Sequence, residues 1–347
     1  MHPGALTPLR TVETLDIPLP ASHPAGHGLL RIRGTVVDGA VEDAEVVTGL
    51  MHRGAEKLFE SRDYRQILSL ANRHDWLSSF DGELSAARVM EDALGIPVPP
   101  RAQALRTVIS EVSRINHHLY WLAETAAALG TDASELRHAR AEITAALDRA
   151  TGARMHLMIV RIGGLAFDIP DTWPATLPQV DATGYVEQVA DRLAGVAVLS
   201  RDQAIAYATS GIVARASGWD RDLRDHLPHV VGVDGDALAR MRCLAEEIAV
   251  SQEYVARAGL PGGDINTRLP RTIRVPEGDY YGASETASGI NGWWLVSRGD
   301  IVPWRLKMRT ASFNNAAALG ACLPGTRIED LPAALMSFLL VAGDMDK

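Results

Sequence analysis

Two imidazoles lie four residues apart in Ser22-His23-Pro24-Ala25-Gly26-His27-Gly28. Histidine is the side chain whose ordinary pKa lets it gain and lose a proton near neutral pH. Pro24 restricts its own φ, while Gly26 and Gly28 can adopt backbone angles closed to other residues, so the segment reads as a short bent loop between two strands. Such a loop suits proton delivery to a buried acceptor; the alternative is a solvated turn carrying surface histidines. The next chemically loaded stretches are Met51-His52-Arg53-Gly54 and Arg73-His74-Asp75-Trp76.

Other clusters offer less. His117 and His118 are neighbours on a helical pattern, where side chains point about 100° apart, so a shared metal ion is not expected. Cys243 and Cys322 are far apart and make no CxxC pair, which suits two buried thiols. Gly163-Gly164 reads as a turn, because no GxGxxG or phosphate-loop motif accompanies it, and direct binding of NAD is not expected. Trp293, Trp294 and Trp304 read as strand packing residues.

The elements that must position these groups follow from hydrophobic spacing. Residues 28–37 and 41–48 alternate apolar and polar side chains around Val37-Asp38-Gly39-Ala40, the pattern of a β-hairpin. Helical patterns follow at 49–61, 63–71 and 76–94, ended by Gly95-Ile96-Pro97-Val98-Pro99-Pro100. Leu105, Val108, Ile109, Val112, Ile115, Leu119, Leu122 and Ala126 predict a long core helix over 101–129. A second long helix at 132–152 follows a short connection, which predicts antiparallel packing. Further helices are expected at 180–196, 236–258, 313–321 and 328–338, and strands at 272–281, 292–296 and 304–309; residues 197–234 show no clear period. The fold expected is mainly α with small β regions, an α+β unit spanning 1–347: hairpin region about 15–48, helical core 49–258, and a strand and helix region 259–347.

The 347 residues carry a formal charge of −9, with 22% charged and 47% hydrophobic residues, and so lack the basic field that nucleic acid demands. The strongest apolar run, 333–343, falls well short of the roughly 18 residues a membrane-spanning helix needs. Residues 1–19 mix prolines and charges without a basic-then-apolar leader, so export is not expected.

The run 49–122 resembles the large, D-type quinone-site subunit of respiratory complex I, a family itself similar to the large subunit of nickel–iron hydrogenases. The same resemblance extends to His23-Pro24 with His27-Gly28, to His156 ahead of Arg161-Ile162-Gly163-Gly164, to Arg215-Ala216-Ser217-Gly218 with Asp222-Leu223-Arg224, and to the closing Gly343-Asp344-Met345-Asp346-Lys347. It implies a hydrogenase-large-subunit-like central bundle. Hydrogenases hold nickel and iron with two CxxC pairs, because such metals favour soft thiolates. Here those positions are Asp75 and Ser78, then Val341 and Asp344, so no metal centre of that kind is expected, and the resemblance implies a quinone headgroup pocket where the metal would lie.

The resemblance implies several roles. Quinone is the substrate, and electrons arrive from a 4Fe–4S cluster on a partner small subunit rather than from a cofactor of this chain. Arg53, Arg73 and His156 fall on positions facing that cluster, where positive charge and hydrogen bonds tune its potential. His27 falls on the proton-donating quinone ligand, with His23 beside it in the pocket. The other family ligand, a tyrosine, is replaced by Trp76, which can stack on a ring but does not release a proton as a phenol does. A family carboxylate on the long helix is replaced by Ala128, and Glu124, one turn earlier, is a candidate substitute as a proton relay. Ser288-Gly289-Ile290 stands where the family carries an arginine and a glutamate around the glycine. The implied setting is the cytoplasmic face of the cell membrane, beside membrane subunits that translocate protons, as a subunit of an NADH–quinone oxidoreductase-type enzyme. A scaffold subunit that has lost quinone turnover is the alternative, and a pocket filled by Trp76 would favour it.

Overall fold

The computed structural model describes residues 12–26 and 28–347, with the backbone alone for Val12 and Leu15. His27 lies outside the described residues.

The N-terminal sheet is three-stranded and antiparallel, in the order β1 (Val12–Ile17), β2 (Arg31–Val37), β3 (Ala40–Val47). Asp38 and Gly39 both take positive φ, 52° and 80°, which matches a two-residue turn whose twist suits the flanking strands. The expected hairpin is therefore real but gains an edge strand.

The helix expected at 49–61 shrinks to α1 (Ala55–Phe59). The carboxylate of Asp346 takes the amides of Gly49 and Met51, at 2.6 and 2.8 Å, and Gly49 and Gly54 sit at φ 96° and 65°. These contacts hold 49–54 as a loop and leave Arg53 on it. Next come α2 (Tyr64–Ala71), whose start carries a reciprocal cap between Asp63 and Gln66, and α3 (Ser79–Leu94), closed by Gly95 at φ 61°.

The long α4 (Pro100–Ala128) starts with Pro100 in its first turn, where a missing N–H costs nothing. It runs antiparallel to α5 (Ser134–Thr151), as the pairs Asn116–Thr144 and Glu124–Arg137 require. A small hairpin, β4 (Val160–Arg161) and β5 (Gly164–Leu165), turns through Ile162-Gly163. A Cβ on Gly164 would lie 2.1 Å from the Ile265 carbonyl oxygen, so only glycine fits there.

The helix expected at 180–196 is broken at Val189 (φ −115°) into α6 (Thr183–Gln188) and α7 (Ala190–Leu193). The unassigned stretch holds α8 (Arg201–Ala206), capped by Ser200 and Gln203, and α9 (Ile212–Arg215). Asp236 then caps α10 (Ala237–Arg257). The C-terminal sheet is β6 (Gly278–Glu285), β7 (Ile290–Ser297), β8 (Arg305–Arg309), so the strand expected from 272 begins only beyond Pro276. The chain ends in α11 (Ala311–Cys322), α12 (Leu331–Ser337) after a tight turn at Ile328–Asp330, and α13 (Ala342–Met345).

The helix α4 is the axis of the core. Leu105, Val108, Ile109, Val112, Leu119 and Trp121 are all fully buried, and α3, α5, α10 and α12 pack around them. Cys243 and Cys322 are free, buried thiols. No helix among the described residues is long and apolar enough to cross a membrane.

Candidate functional site

The loop between α2 and α3 carries Arg73-His74-Asp75-Trp76. Asp75 shapes it: Oδ1 accepts the amides of Leu77 and Ser78, each at 3.1 Å, and Ser78 Oγ donates to Asp81. Against it packs α13, where Asp344 accepts the amide of Ser312 and lies 3.5 Å from His74 Nε2. His74 Nδ1 donates to the Ala71 carbonyl and Nε2 accepts from Asn291, so the ring is neutral, as its burial also favours. Asp75, Ser78 and Asp344, three of the positions that the resemblance assigns to thiolates, are each engaged in hydrogen bonds within the fold. Burial pushes the Asp75 carboxyl up to about 7, with the nearby Asp344 charge adding to the shift.

The open space lies alongside. A cavity of about 170 Å³ is lined by Trp76 and Leu77, by Ser113, Asn116 and His117 of α4, by Arg140 and Thr144 of α5, and by Arg154 and Met155. Asp75, Ser78, Val341 and Asp344 are not in its wall, so the cavity lies beside the positions that the resemblance assigns to the metal. A cavity of roughly 150 Å³ can hold a benzene ring, so one six-membered ring fits this one. Trp76 is half-buried, on the cavity wall, and its ring rests on Gly343, where an added Cβ would lie 2.9 Å from the indole and 2.5 Å from the His74 carbonyl oxygen. Gly343→Ala is therefore expected to destabilise the fold by about 1–3 kcal/mol through overpacking. Unchanged urea unfolding would mean that the backbone yields there without cost.

Of the two loop histidines, His23 is among the described residues. His23 is buried edge-on to Trp121, ring centroids 5.5 Å apart, and its Nδ1 accepts the Ala25 amide. Burial pulls its pKa down to about 3, so it is neutral at physiological pH, and it does not line the cavity. His27 is outside the described residues, but the loop that carries it is tied to α4: Tyr120 donates to the Ser22 carbonyl, and Ser22 Oγ donates to the Glu124 carbonyl. The Glu124 carboxylate, expected to pair with His27, is engaged by a neighbouring helix among the described residues. Both oxygens bind the Arg137 guanidinium at 3.0 Å, leaving only its main-chain carbonyl for Ser22.

Arg53, Arg73 and His156 come together on one surface. Arg53 donates to the Arg73 carbonyl, and the His156 ring bonds Asn72, next to Arg73. Both arginines are exposed and, among the described residues, neither has an acidic partner. His156 is half-buried; burial, and then the Arg73 charge, lower its pKa, so it favours the neutral form. Glu83 of α3 braces the segment by accepting the Met158 and Val160 amides, at 2.8 and 3.1 Å.

Behind the cavity lies a polar core that the spacing rules did not bring out. His117 Nδ1 and His118 Nδ1 are 3.0 Å apart, and His118 Nε2 is 2.9 Å from Glu247 of α10. Glu247 also binds Arg215 and Arg224, which in turn reach Glu285, Asp222 and Glu111. Burial opposes the ionised form of Glu247, but Arg215 and Arg224 outweigh it and hold the carboxyl well below the ordinary range. The signal available in the sequence was the pair of motifs containing Arg215 and Arg224; nothing local pointed to Glu247.

Residues 131–271 and 264–347 match the family described as respiratory-chain NADH dehydrogenase, 49 Kd subunit. The chain is 43% identical to the second D-type NADH-quinone oxidoreductase subunit of Streptomyces griseus, over 94% of this chain and 90% of that protein. It is also 43% identical to the second D-type subunit of Salinispora tropica, over 94% and 91%. With the D-type NADH-quinone oxidoreductase subunit of Carboxydothermus hydrogenoformans it shares 32% identity over 97% of this chain and the whole of that protein.

Proposed function

The chain belongs to the 49-kDa, D-type subunit family of the respiratory-chain NADH dehydrogenase, and from that premise we propose that it forms the quinone headgroup site of a complex I-type NADH–quinone oxidoreductase. The observation that carries this reading is the ring-sized cavity between Trp76 and His117. It lies on the same stretch of α4 that anchors the loop of His27. A pocket filled by Trp76 would have favoured a scaffold; the cavity favours turnover.

Reduction of a quinone to a quinol takes two electrons and two protons. The electrons come from a 4Fe–4S cluster on a small partner subunit, docked on the surface of Arg53, Arg73 and His156, where the two arginines, without acidic partners among the described residues, meet a negatively charged group. Trp76 stacks on the ring and His27 gives a proton to one ring oxygen. The chain sits in the peripheral arm, on the cytoplasmic side of the membrane, and membrane subunits convert the redox energy into proton translocation.

The test is quinone reduction by the purified native assembly. His27→Ala is expected to lower kcat about 100-fold or more, as loss of a general acid does. Trp76→Ala is expected to raise KM for the quinone about tenfold, through lost stacking on the ring. Unaltered turnover in both variants would leave the chain with the scaffold role alone.

A further inference from the structure

We infer that Arg140 of α5 binds one oxygen of the quinone ring and takes up the negative charge that this oxygen gains on reduction, a role that rests on the quinone-site reading above.

Three rungs join α4 to α5. Thr144 donates to Asn116 at 3.3 Å, the Arg140 guanidinium lies over the Tyr120 ring at 4.9 Å, and Arg137 binds Glu124. The outer rungs are matched pairs, hydroxyl with amide oxygen and cation with carboxylate. The middle rung is not. Tyr120 offers Arg140 only the face of its ring, because its hydroxyl donates to the Ser22 carbonyl. Glu124, one turn further along α4, has both oxygens on Arg137. Every Asp and Glu in the sequence is among the described residues, and none of them forms an ion pair with Arg140. Its Nε is buried with no hydrogen-bond partner among the described residues. Burial lowers its pKa below the ordinary value, and the neighbouring Tyr120 and Glu124 offset only part of that.

A guanidinium largely shut away from water and left without a counterion works against the fold. The reason to keep it lies in what it borders. Arg140 lines the ring-sized cavity beside Trp76 and His117. Among the described residues that wall holds no carboxylate. Its other charged residue is Arg154, exposed at the rim next to Met155 and already 3.3 Å from Asp148. His117 is neutral, held well below its ordinary range first by burial. Ser113 and Asn116 add neutral polar groups. A ring in this cavity thus meets positive charge on the wall and no negative charge.

That pattern discriminates between oxidation states. A neutral quinone offers the guanidinium only a carbonyl dipole, whereas a ring that has taken up electrons carries negative charge on its oxygens until protons arrive. The attraction between full charges is far stronger away from bulk water, so Arg140 favours the reduced ring over the oxidised one. In the whole reaction two electrons from the partner's cluster and two protons, one from His27 and one from solvent, convert quinone to quinol. No bond to Arg140 forms or breaks, because a guanidinium keeps its protons in proteins. The tyrosine beneath it also anchors the His27 loop, so the cation and the loop of the proton donor meet the same stretch of α4.

Arg140→Gln tests this, because it removes the charge and keeps a polar side chain. With no counterion to abandon, the variant chain is expected to unfold at the same urea concentration as wild type or a higher one. The wild-type chain should bind dihydroxybenzoquinone, a single ring that is anionic at neutral pH, about tenfold or more tightly than Arg140→Gln does. Neutral duroquinone should bind the two proteins within about twofold of each other. Arg140→Lys, which keeps the charge, should recover part of the preference for the anionic ring. In the assembled complex Arg140→Gln should lower kcat about 100-fold and leave the quinone KM within a few-fold, since the charge appears only as the ring is reduced. Four results would each overturn the proposal: equal binding of the anionic ring by wild type and Arg140→Gln, a preference that lysine restores in no part, full kcat in Arg140→Gln, or a lowered urea midpoint, which would make packing on Tyr120 its role. A wild-type complex that binds the anionic ring through Arg140 but reduces no quinone would overturn the quinone-site reading and the role in reduction, and leave the cavity as a site for a ring-shaped anion.

Discussion

Glu247→Ala is expected to be the most damaging single substitution in this chain. The carboxylate is 1% exposed and is shared by Arg215, Arg224 and His118, with Arg114 at 3.7 Å. Removing it leaves buried guanidinium charge without its counterion, and breaking a buried pair in this way typically costs about 3–5 kcal/mol, a large part of the stability of an ordinary domain. It also frees the His118 tautomer, and through it the orientation of His117 at the cavity wall. Urea unfolding of the purified chain measures the first effect, and Glu247→Gln, which keeps an acceptor for His118, separates it from the second. A loss below about 1 kcal/mol in the alanine variant would mean that the arginines find other partners. The pH dependence has a definite sign. Burial opposes ionisation of Glu111, yet Arg114 and Arg224 outweigh it and lower the carboxyl from 4.5 to about 2, so its contribution is complete above about pH 4.5 and is lost as the pH falls toward 2.

The second large effect concerns assembly rather than folding. Arg53 and Arg73 are exposed, adjacent, and without acidic partners among the described residues, so neither holds the fold together through an ion pair. Exposed arginines of this kind usually cost less than about 0.5 kcal/mol when replaced. At a docking surface for a negatively charged partner, reversing a charge places like against like, which costs several kcal/mol; about 2.7 kcal/mol already weakens binding roughly 100-fold. Arg73→Glu is therefore expected to keep its unfolding curve and to lose the small subunit on co-purification, and Arg53→Glu to do the same more weakly. Normal recovery of the small subunit with both variants would remove this face from the proposed interface.

The two effects fall on different parts of the molecule for a physical reason. The ionic network is dry and its charges are paired with one another, so its members are tied to the fold, whereas the arginine face is wet and without acidic partners among the described residues, so its charge is available to a partner. The cavity lies between them, bounded by Trp76 from the α2–α3 loop and His117 from α4.

Much of this was legible in the amino-acid order. The apolar spacing of 101–129 and 236–258 marked α4 and α10 to within two residues, because one buried face of a long helix imposes its own period. Asp38-Gly39 located the hairpin turn, and the motifs around Arg53, Arg73 and His156 named residues that do share a surface. Short-range rules failed where a distant group outcompeted the local preference. Residues 49–54 are helical in pattern, but Asp346, nearly three hundred residues away, takes their amides. Arg137 of the next helix binds both oxygens of Glu124, a partner that no local spacing announced. His117 and His118 are neighbours on a helix, and Glu247 and Ser288 close on them from α10 and the β6–β7 turn to join them into one buried hydrogen-bonded cluster. Periodicity and capping act over a few residues and can be read from order alone. Which acid meets which base across a packed core is decided by the tertiary fold, where burial makes each unpaired polar group costly enough to select its partner.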